Sequence, residues 1–246
     1  FSTPFDATAV DFLEDLDVPC YKIASFENVD LPLIRLVAST GKPVIISTGI
    51  ATFDEVDEAV QAARDGGCRD LVVLKCTSAY PANPDDVHLA TLAALRERYG
   101  CEVGFSDHTL GIGTAVAAVA LGATVIEKHV TLHRADGGVD AAFSLEADEL
   151  RALVTETDAA RRAIGTVRLG PSEREQGALT RRRSLYFVED IAEGEEITPA
   201  NLRSIRPGLG VLPKHYEGLL GRRATTAIRR GTPASFDLVT DGPAQG

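Results

Sequence analysis

The chain has 246 residues, with 25 basic against 36 acidic side chains for a formal net charge of −11; 44% of residues are hydrophobic and 25% charged. These are globular proportions, in a chain long enough to bury a sizeable core without disulfide staples. They exclude a membrane-spanning helix, because no apolar run approaches the roughly 18 residues a span needs. They also argue against a nucleic-acid partner, because the field of an acidic chain repels phosphates.

The opening residues, Phe1 to Phe5, read as the end of a strand entering a loop, so further sequence is expected upstream. Apolar runs then recur at Cys20 to Ala24, Pro43 to Ser47, Asp70 to Cys76, Glu102 to Ser106 and Thr124 to His129. They are continuous rather than alternating, as expected of parallel strands covered on both faces. Helical periodicity fills the gaps at Thr8 to Leu16, Asn28 to Ser39, Phe53 to Asp65, Thr114 to Leu121 and Asp148 to Ile164. Strand then helix, repeated, predicts a parallel α/β architecture. Cys20, Cys68, Cys76 and Cys101 form no C-x-x-C pair, which fits reduced thiols in a cytoplasmic protein.

Polar residues follow nearly every strand: Lys22 and Ser25, Ser47 and Thr48, Lys75 and Thr77, Ser106 to Thr109, Lys128 and His129. An open sheet gathers its ligand at one switch point, whereas a barrel collects residues from all its strand ends. The distribution therefore predicts a (β/α)8 TIM barrel. Five or six strands are countable, so its first two or so βα units are expected to be missing in front. Residues 1–167 form this partial barrel, and the polar stretch 168–183, with Gly170-Pro171 inside it, reads as a linker. Residues 184–246 read as a small β-rich domain, with short strands at Leu185 to Val188, Arg203 to Ile205 and Ala224 to Ile228. Charge divides along the same line: residues 1–180 hold 15 basic and 28 acidic side chains, residues 181–246 hold 10 and 8.

His108 and His129 close adjacent strands and can converge on one metal ion. The alternative is two satisfied core or loop histidines. Lys22 with Ser25, Ser47, Thr48 and the free Gly49 N–H suggests a phosphate cradle. Lys22 could instead be a Schiff-base nucleophile, as in an aldolase, or a structural lysine paired with Glu27 or Asp107.

Read in order, FSTPF, YKIASFE, ISTG, LKCTSAYP, GFSDHT and IEKHVTL resemble the sialic acid synthase family of phosphoenolpyruvate-condensing enzymes. The stretch Arg203 to Val211, with Gly194 and Gly231 in their turns, is similar to that family's antifreeze-like (SAF) domain. Lys75 and the stretch Val139 to Glu146 look most like the pseudaminic acid synthase branch; N-acetylneuraminate and legionaminate synthases are the alternatives within the family. The resemblance implies a TIM barrel in a domain-swapped homodimer and a divalent metal of the Mn2+ or Mg2+ type. It matches His108 and His129 to metal ligands, and Lys22, Ser25, Ser47 and Ser106 to phosphoenolpyruvate contacts. Glu27, Tyr80 and Asp140 match contacts to the amino-sugar substrate, and Arg206 matches an arginine that the swapped domain delivers to the sugar. Ser78 departs from the usual pattern. The implied reaction joins phosphoenolpyruvate to an open-chain 2,4-diacetamido-trideoxy hexose, giving a nonulosonic acid and phosphate. A non-catalytic, truncated sugar-phosphate-binding barrel is the alternative of a different class.

Overall fold

A computed structural model describes residues 1–241 of the protein. The chain divides after Thr166 into two compact units.

The first unit alternates helices and strands as the hydrophobic pattern predicts. Its elements are α1 (Ala7–Asp15), β1 (Tyr21–Ile23), α2 (Leu31–Ser39), β2 (Val44–Ser47), α3 (Phe53–Asp65), β3 (Leu71–Cys76), α4 (Thr91–Tyr99), β4 (Glu102–Asp107), α5 (Gly113–Ala120), β5 (Val125–Lys128) and α6 (Ala147–Ile164). All five strands are parallel and lie in sequence order, β1-β2-β3-β4-β5. Ser2 adds a parallel bridge to Tyr21 at the outer edge of β1. An order without reversal has no switch point; it is half of a (β/α) barrel.

The curl of this half-barrel is visible in one contact. Lys22 of β1 and Glu127 of β5 approach to 3.5 Å. Four strand spacings at about 4.8 Å each would hold them roughly 19 Å apart in a flat sheet.

Local chemistry sets the helix boundaries. Asp6 caps α1 by accepting from Ala9 N at 2.8 Å, and Asp30 caps α2 by accepting from Leu33 N at 3.1 Å. The periodicity predicts a start for α2 at Asn28. The helix begins three residues later because Ser25 to Glu27 form a 3-10 turn and the Asn28 amide donates instead to the Ser47 carbonyl. Thr52 and Glu55 form a reciprocal capping box on α3. Helix α4 has no counterpart among the helical stretches that the hydrophobic pattern predicts. Its signal is slight: Leu92, Leu95 and Tyr99 bury one stripe, and Gly100 at φ 57° terminates the helix in a left-handed cap.

Side chains alternate across the sheet. Tyr21, Ile23, Val44, Ile46, Val73, Val103 and Phe105 face the helices and pack with Ile34, Val37, Ala59, Val60, Leu92 and Leu95. Each such side chain, fully buried, contributes roughly 1.5–3 kcal/mol. The alternate positions, Lys22, Ser47, Cys76, Ser106 and Glu127, face the concave interior. Beyond β5 the helix side is less covered, and Ile126, Val154 and Ile164 line an apolar groove with Val119 and Ala123.

The second unit has its own core of Leu185, Phe187, Ile191, Ile197, Leu202, Leu219, Ala224, Ile228, Ala234 and Val239. Strands β6 (Ser184–Phe187) and β7 (Leu202–Ile205) pair antiparallel, and a short helix α7 spans Tyr216–Leu219. The expected strand at Ala224 to Ile228 is not one. Only its ends pair, Ala224 with Val239 and Ile228 with Ile191, as isolated bridges. The polar stretch before β6 carries 3-10 turns over Glu173–Arg181, started by a Ser172–Glu175 capping box. Gly210 has no room for a side chain, since a Cβ there would lie 2.3 Å from the Leu185 carbonyl oxygen. Among the described residues, no helix is long and apolar enough to cross a membrane.

One buried ion pair ties β4, β5 and α5 together. Asp107 and Lys128, whose side chains are 0% and 3% exposed, meet at 2.8 Å. The Asp107 carboxylate also accepts from Thr109 N at 2.8 Å and from Thr114 Oγ1 at 3.0 Å, and Lys128 donates to the Thr109 carbonyl. Removing one partner strands a charge in the core. Asp107→Ala is therefore expected to lower the unfolding free energy of the first unit by about 3–5 kcal/mol, read from its denaturant midpoint. Lys128→Met in the same chain should recover part of that loss. A cost indistinguishable from zero would show that the pair does not hold these elements.

Candidate active site

The site is built from the inward positions at the C-terminal ends of the strands and from the turns that follow. Lys22 is 5% exposed, and its ammonium donates to the Ile23 carbonyl at 3.2 Å. Its ionic partner is Glu127; neither Glu27 nor Asp107 fills the structural role expected of them, since Asp107 is committed to Lys128 on the helix side. Ser106 donates to Glu127 Oε1 at 2.6 Å.

On the next turn, Gly49 N donates to Ser25 Oγ at 3.0 Å. A Cβ on Gly49 would lie 2.1 Å from Ser78 Oγ and 2.6 Å from Ser25 Oγ. Ser78, which departs from the family pattern, thus sits in the same cradle. Cys76 lies beneath it, with Sγ 3.9 Å from both Ser78 Oγ and His108 Nδ1. Burial pushes the Cys76 thiol up, but hydrogen bonds with His108, Ser25 and Ser106 outweigh it and bring its pKa below the ordinary thiol value.

Two partnerless atoms point to a ligand. Among the described residues, three buried side-chain polar atoms lack a hydrogen bond, and two of them, Glu27 Oε2 and Ser47 Oγ, belong to this region. Buried polar groups are otherwise paired, because leaving one bare costs about 1–3 kcal/mol. Thr48 does not join the cluster: its hydroxyl donates to the Leu74 carbonyl at 3.0 Å. Lys75 alternates to the helix side, where it donates to the Cys76 carbonyl at 2.7 Å and burial holds its pKa below the usual lysine value.

The two histidines do come together. Their ring centroids are 5.2 Å apart. Tyr80 stacks on His108 at 4.2 Å, and Phe143 packs against His129 at 5.0 Å and Tyr80 at 5.8 Å. His108 Nδ1 is 2.9 Å from the Thr77 carbonyl, an acceptor only, so its proton sits on Nδ1 and Nε2 offers a lone pair. Asp140 Oδ2 stands 3.5 Å from His129 Nδ1 and favours the same tautomer there. Burial and the neighbouring His108 hold His129 below the usual imidazole pKa. Burial acts likewise on His108, but the Cys76 thiol and Thr77 carbonyl outweigh it and raise its value. Burial also raises the Tyr80 phenol. Among the described residues no set of three His, Cys, Asp or Glu gathers as a metal centre. Two imidazoles oriented by a carbonyl and a carboxylate fit a divalent cation whose other ligands come from substrate and solvent.

Arg206 lies in the second unit, exposed on the turn after β7. The turn is fixed: Ser184 Oγ donates to the Pro207 carbonyl at 2.7 Å and accepts from Gly210 N at 2.9 Å. Sequence reasoning missed Cys76, Glu127 and Phe143 as members of the site. Period-two spacing carries a signal for the first two, since Glu127 shares a face with His129 and Cys76 with Ser78.

Comparison with known proteins matches residues 1–168 to the NeuB family and residues 182–240 to the SAF domain. The chain is 40% identical to a pseudaminic acid synthase of Helicobacter pylori, over 96% of this chain and 70% of that protein. It is 39% identical to an N,N'-diacetyllegionaminic acid synthase of Campylobacter jejuni, over 91% and 68%. Among solved structures, an N-acetylneuraminic acid (sialic acid) synthetase from Leptospira borgpetersenii superposes with a TM-score of 0.67 at 37% identity, covering 72% of this chain and 62% of that one. The chain thus spans roughly two thirds of the length of these relatives.

The cradle makes its own test. Gly49→Ala should push the Ser25 and Ser78 hydroxyls off their positions while leaving the core intact. Losing one hydrogen bond to a charged ligand costs about 1.5–3 kcal/mol, so binding of inorganic phosphate should weaken roughly tenfold to a hundredfold. Calorimetric titration of both proteins checks this; equal affinities would place the phosphate site elsewhere.

Proposed function

The chain belongs to the NeuB family, the sialic acid synthases, and from this premise we propose that it condenses phosphoenolpyruvate with an open-chain 2,4-diacetamido-trideoxy hexose, as a pseudaminic acid synthase. The observation that carries the reading is the joining, at one end of the half-barrel, of a lysine and serine cradle with two converging histidines and the partnerless Glu27 Oε2 and Ser47 Oγ. Legionaminic and N-acetylneuraminic acid synthases are the neighbouring readings, and the sugar decides among them.

In this proposal Lys22, Ser25, Ser47 and Ser106 bind the phosphate-bearing substrate. The Lys22 ammonium and the Ser47 hydroxyl offset its charge inside an otherwise acidic chain. His108 and His129 would hold a divalent cation of the Mn2+ or Mg2+ type, which would supply Lewis acidity toward the sugar's aldehyde oxygen. Tyr80 and Asp140 line the sugar side. The methylene carbon of phosphoenolpyruvate bonds to the aldehyde carbon, water adds at the enol carbon, and the carbon–oxygen bond to phosphate breaks. Glu27, with a buried oxygen free of partners, takes a proton from that water; of the water's two protons one ends on the oxygen of the former aldehyde and the other leaves with phosphate as the tetrahedral carbon collapses to the ketone. A chain handling phosphoenolpyruvate with four free cysteines fits the cytoplasm. An aldolase using Lys22 is less favoured, since the Lys22 ammonium is held by Glu127 and the Ile23 carbonyl.

The assay is release of inorganic phosphate from phosphoenolpyruvate that depends on added sugar. His108→Ala and His129→Ala should each abolish it, and chelator should do so reversibly. Phosphate release that needs no sugar, or that survives chelation and both substitutions, would overturn the reading.

Arg206 provides a second test. We propose that the chain works as a homodimer in which the SAF unit of one copy serves the site of the other; the exposed, pinned Arg206 turn supports this. Guanidinium, a fixed fork of five donors, suits a sugar rich in hydroxyls and amides. Inactive His108→Ala and Arg206→Ala proteins, mixed and allowed to exchange subunits, should regain up to about half of the activity per heterodimer, because one site of a twofold pair is rebuilt. No recovery despite exchange confirmed by mass would place the arginine in its own chain's site or outside any site.

A further inference from the structure

We propose that Glu127 is a positioning residue of the anion cradle: its carboxylate, anchored on one oxygen by the Ser106 hydroxyl, sets how the Lys22 ammonium meets a bound substrate phosphate. The inference rests on the function proposed above and deepens it.

The geometry is specific. Ser106 and Glu127 are register partners on β4 and β5, and Ser106 Oγ donates to Glu127 Oε1 at 2.6 Å. The other oxygen, Oε2, faces the Lys22 ammonium at 3.5 Å from across the curl of the sheet. Lys22 has three protons. The Ile23 carbonyl takes one at 3.2 Å and Glu127 faces a second. One N–H is left for a ligand, in a direction fixed by the other two. Among the described residues no other carboxylate lies within ion-pair distance of Lys22.

Contrast with the Asp107–Lys128 pair separates positioning from scaffolding. Asp107 is fully buried and bonded to backbone and helix. Glu127 is 36% exposed, and among the described residues its carboxylate accepts a hydrogen bond from the Ser106 hydroxyl alone. A carboxylate beside an anion site lowers anion affinity through its own charge. Its place here is explained by what it aligns: the ammonium of a long, flexible lysine on β1, which without a carboxylate held in place by the β4 hydroxyl loses orientation.

The test uses the whole chain with Glu127→Gln and Glu127→Ala. Gln keeps an acceptor for Ser106 but drops the charge facing Lys22; Ala drops both. Phosphoenolpyruvate binding is measured by calorimetry without sugar, and the KM for each substrate by phosphate release. Positioning predicts that Ala weakens phosphoenolpyruvate binding about tenfold or more, with Gln between Ala and wild type. The KM for the sugar and the thermal midpoints should stay close to wild type. Unchanged or tighter phosphoenolpyruvate binding in Glu127→Ala would overturn the proposal and leave a purely electrostatic role. So would equal losses for both substrates, or a collapse of thermal stability in both variants. If the wild-type chain binds no phosphoenolpyruvate, the function reading falls and this inference with it. If it binds and the variants match it, only this inference falls.

Discussion

The curl of the parallel sheet is the constraint on which the site depends. Lys22, Ser47, Cys76, Ser106 and Glu127 come from five successive strands and would form a flat row in an open sheet. Because the sheet curves, the first and last of them meet across the concave side at 3.5 Å. The pair also records a mismatch in sequence distance: two residues more than 100 positions apart are brought into contact by four parallel pairings, each needing a helical crossover.

The two faces of the sheet divide the work. Toward the helices, apolar side chains pack and the Asp107–Lys128 pair is satisfied on every side, so it fixes the ends of β4 and β5. His108 and His129 follow directly on those ends and inherit their placement. Toward the interior, polar groups are left incomplete: Glu27 and Ser47 keep bare atoms. Incomplete satisfaction is unfavourable for an empty fold and favourable for a ligand that completes it.

The second unit follows another logic. With little regular structure, it relies on a compact apolar cluster and on single bridges between short segments. Its turns are therefore fixed by individual hydrogen bonds. Ser184 alone serves both the Pro207 carbonyl and the Gly210 amide, and that hydroxyl holds the loop carrying Arg206.

The sequence by itself determined the alternation of strands and helices, because buried parallel strands must be continuously apolar and their helices must carry a stripe. It also determined which residues end the strands, and so named Lys22, Ser25, Ser47, Ser106, His108 and His129. It overran at Ala224 to Ile228, where apolar residues serve a core without a ladder, and it passed over α4, whose buried stripe is only three residues deep. Pairings across the sheet were decided by tertiary structure alone. Periodicity assigns a residue to a face but says nothing of which distant strand that face meets. Lys22 therefore found Glu127 rather than Glu27 or Asp107, Thr48 turned to the Leu74 carbonyl, and Phe143 came to rest against His129. Those contacts arise from the closing angle of the sheet and the path of its loops, and no local pattern in the chain encodes either.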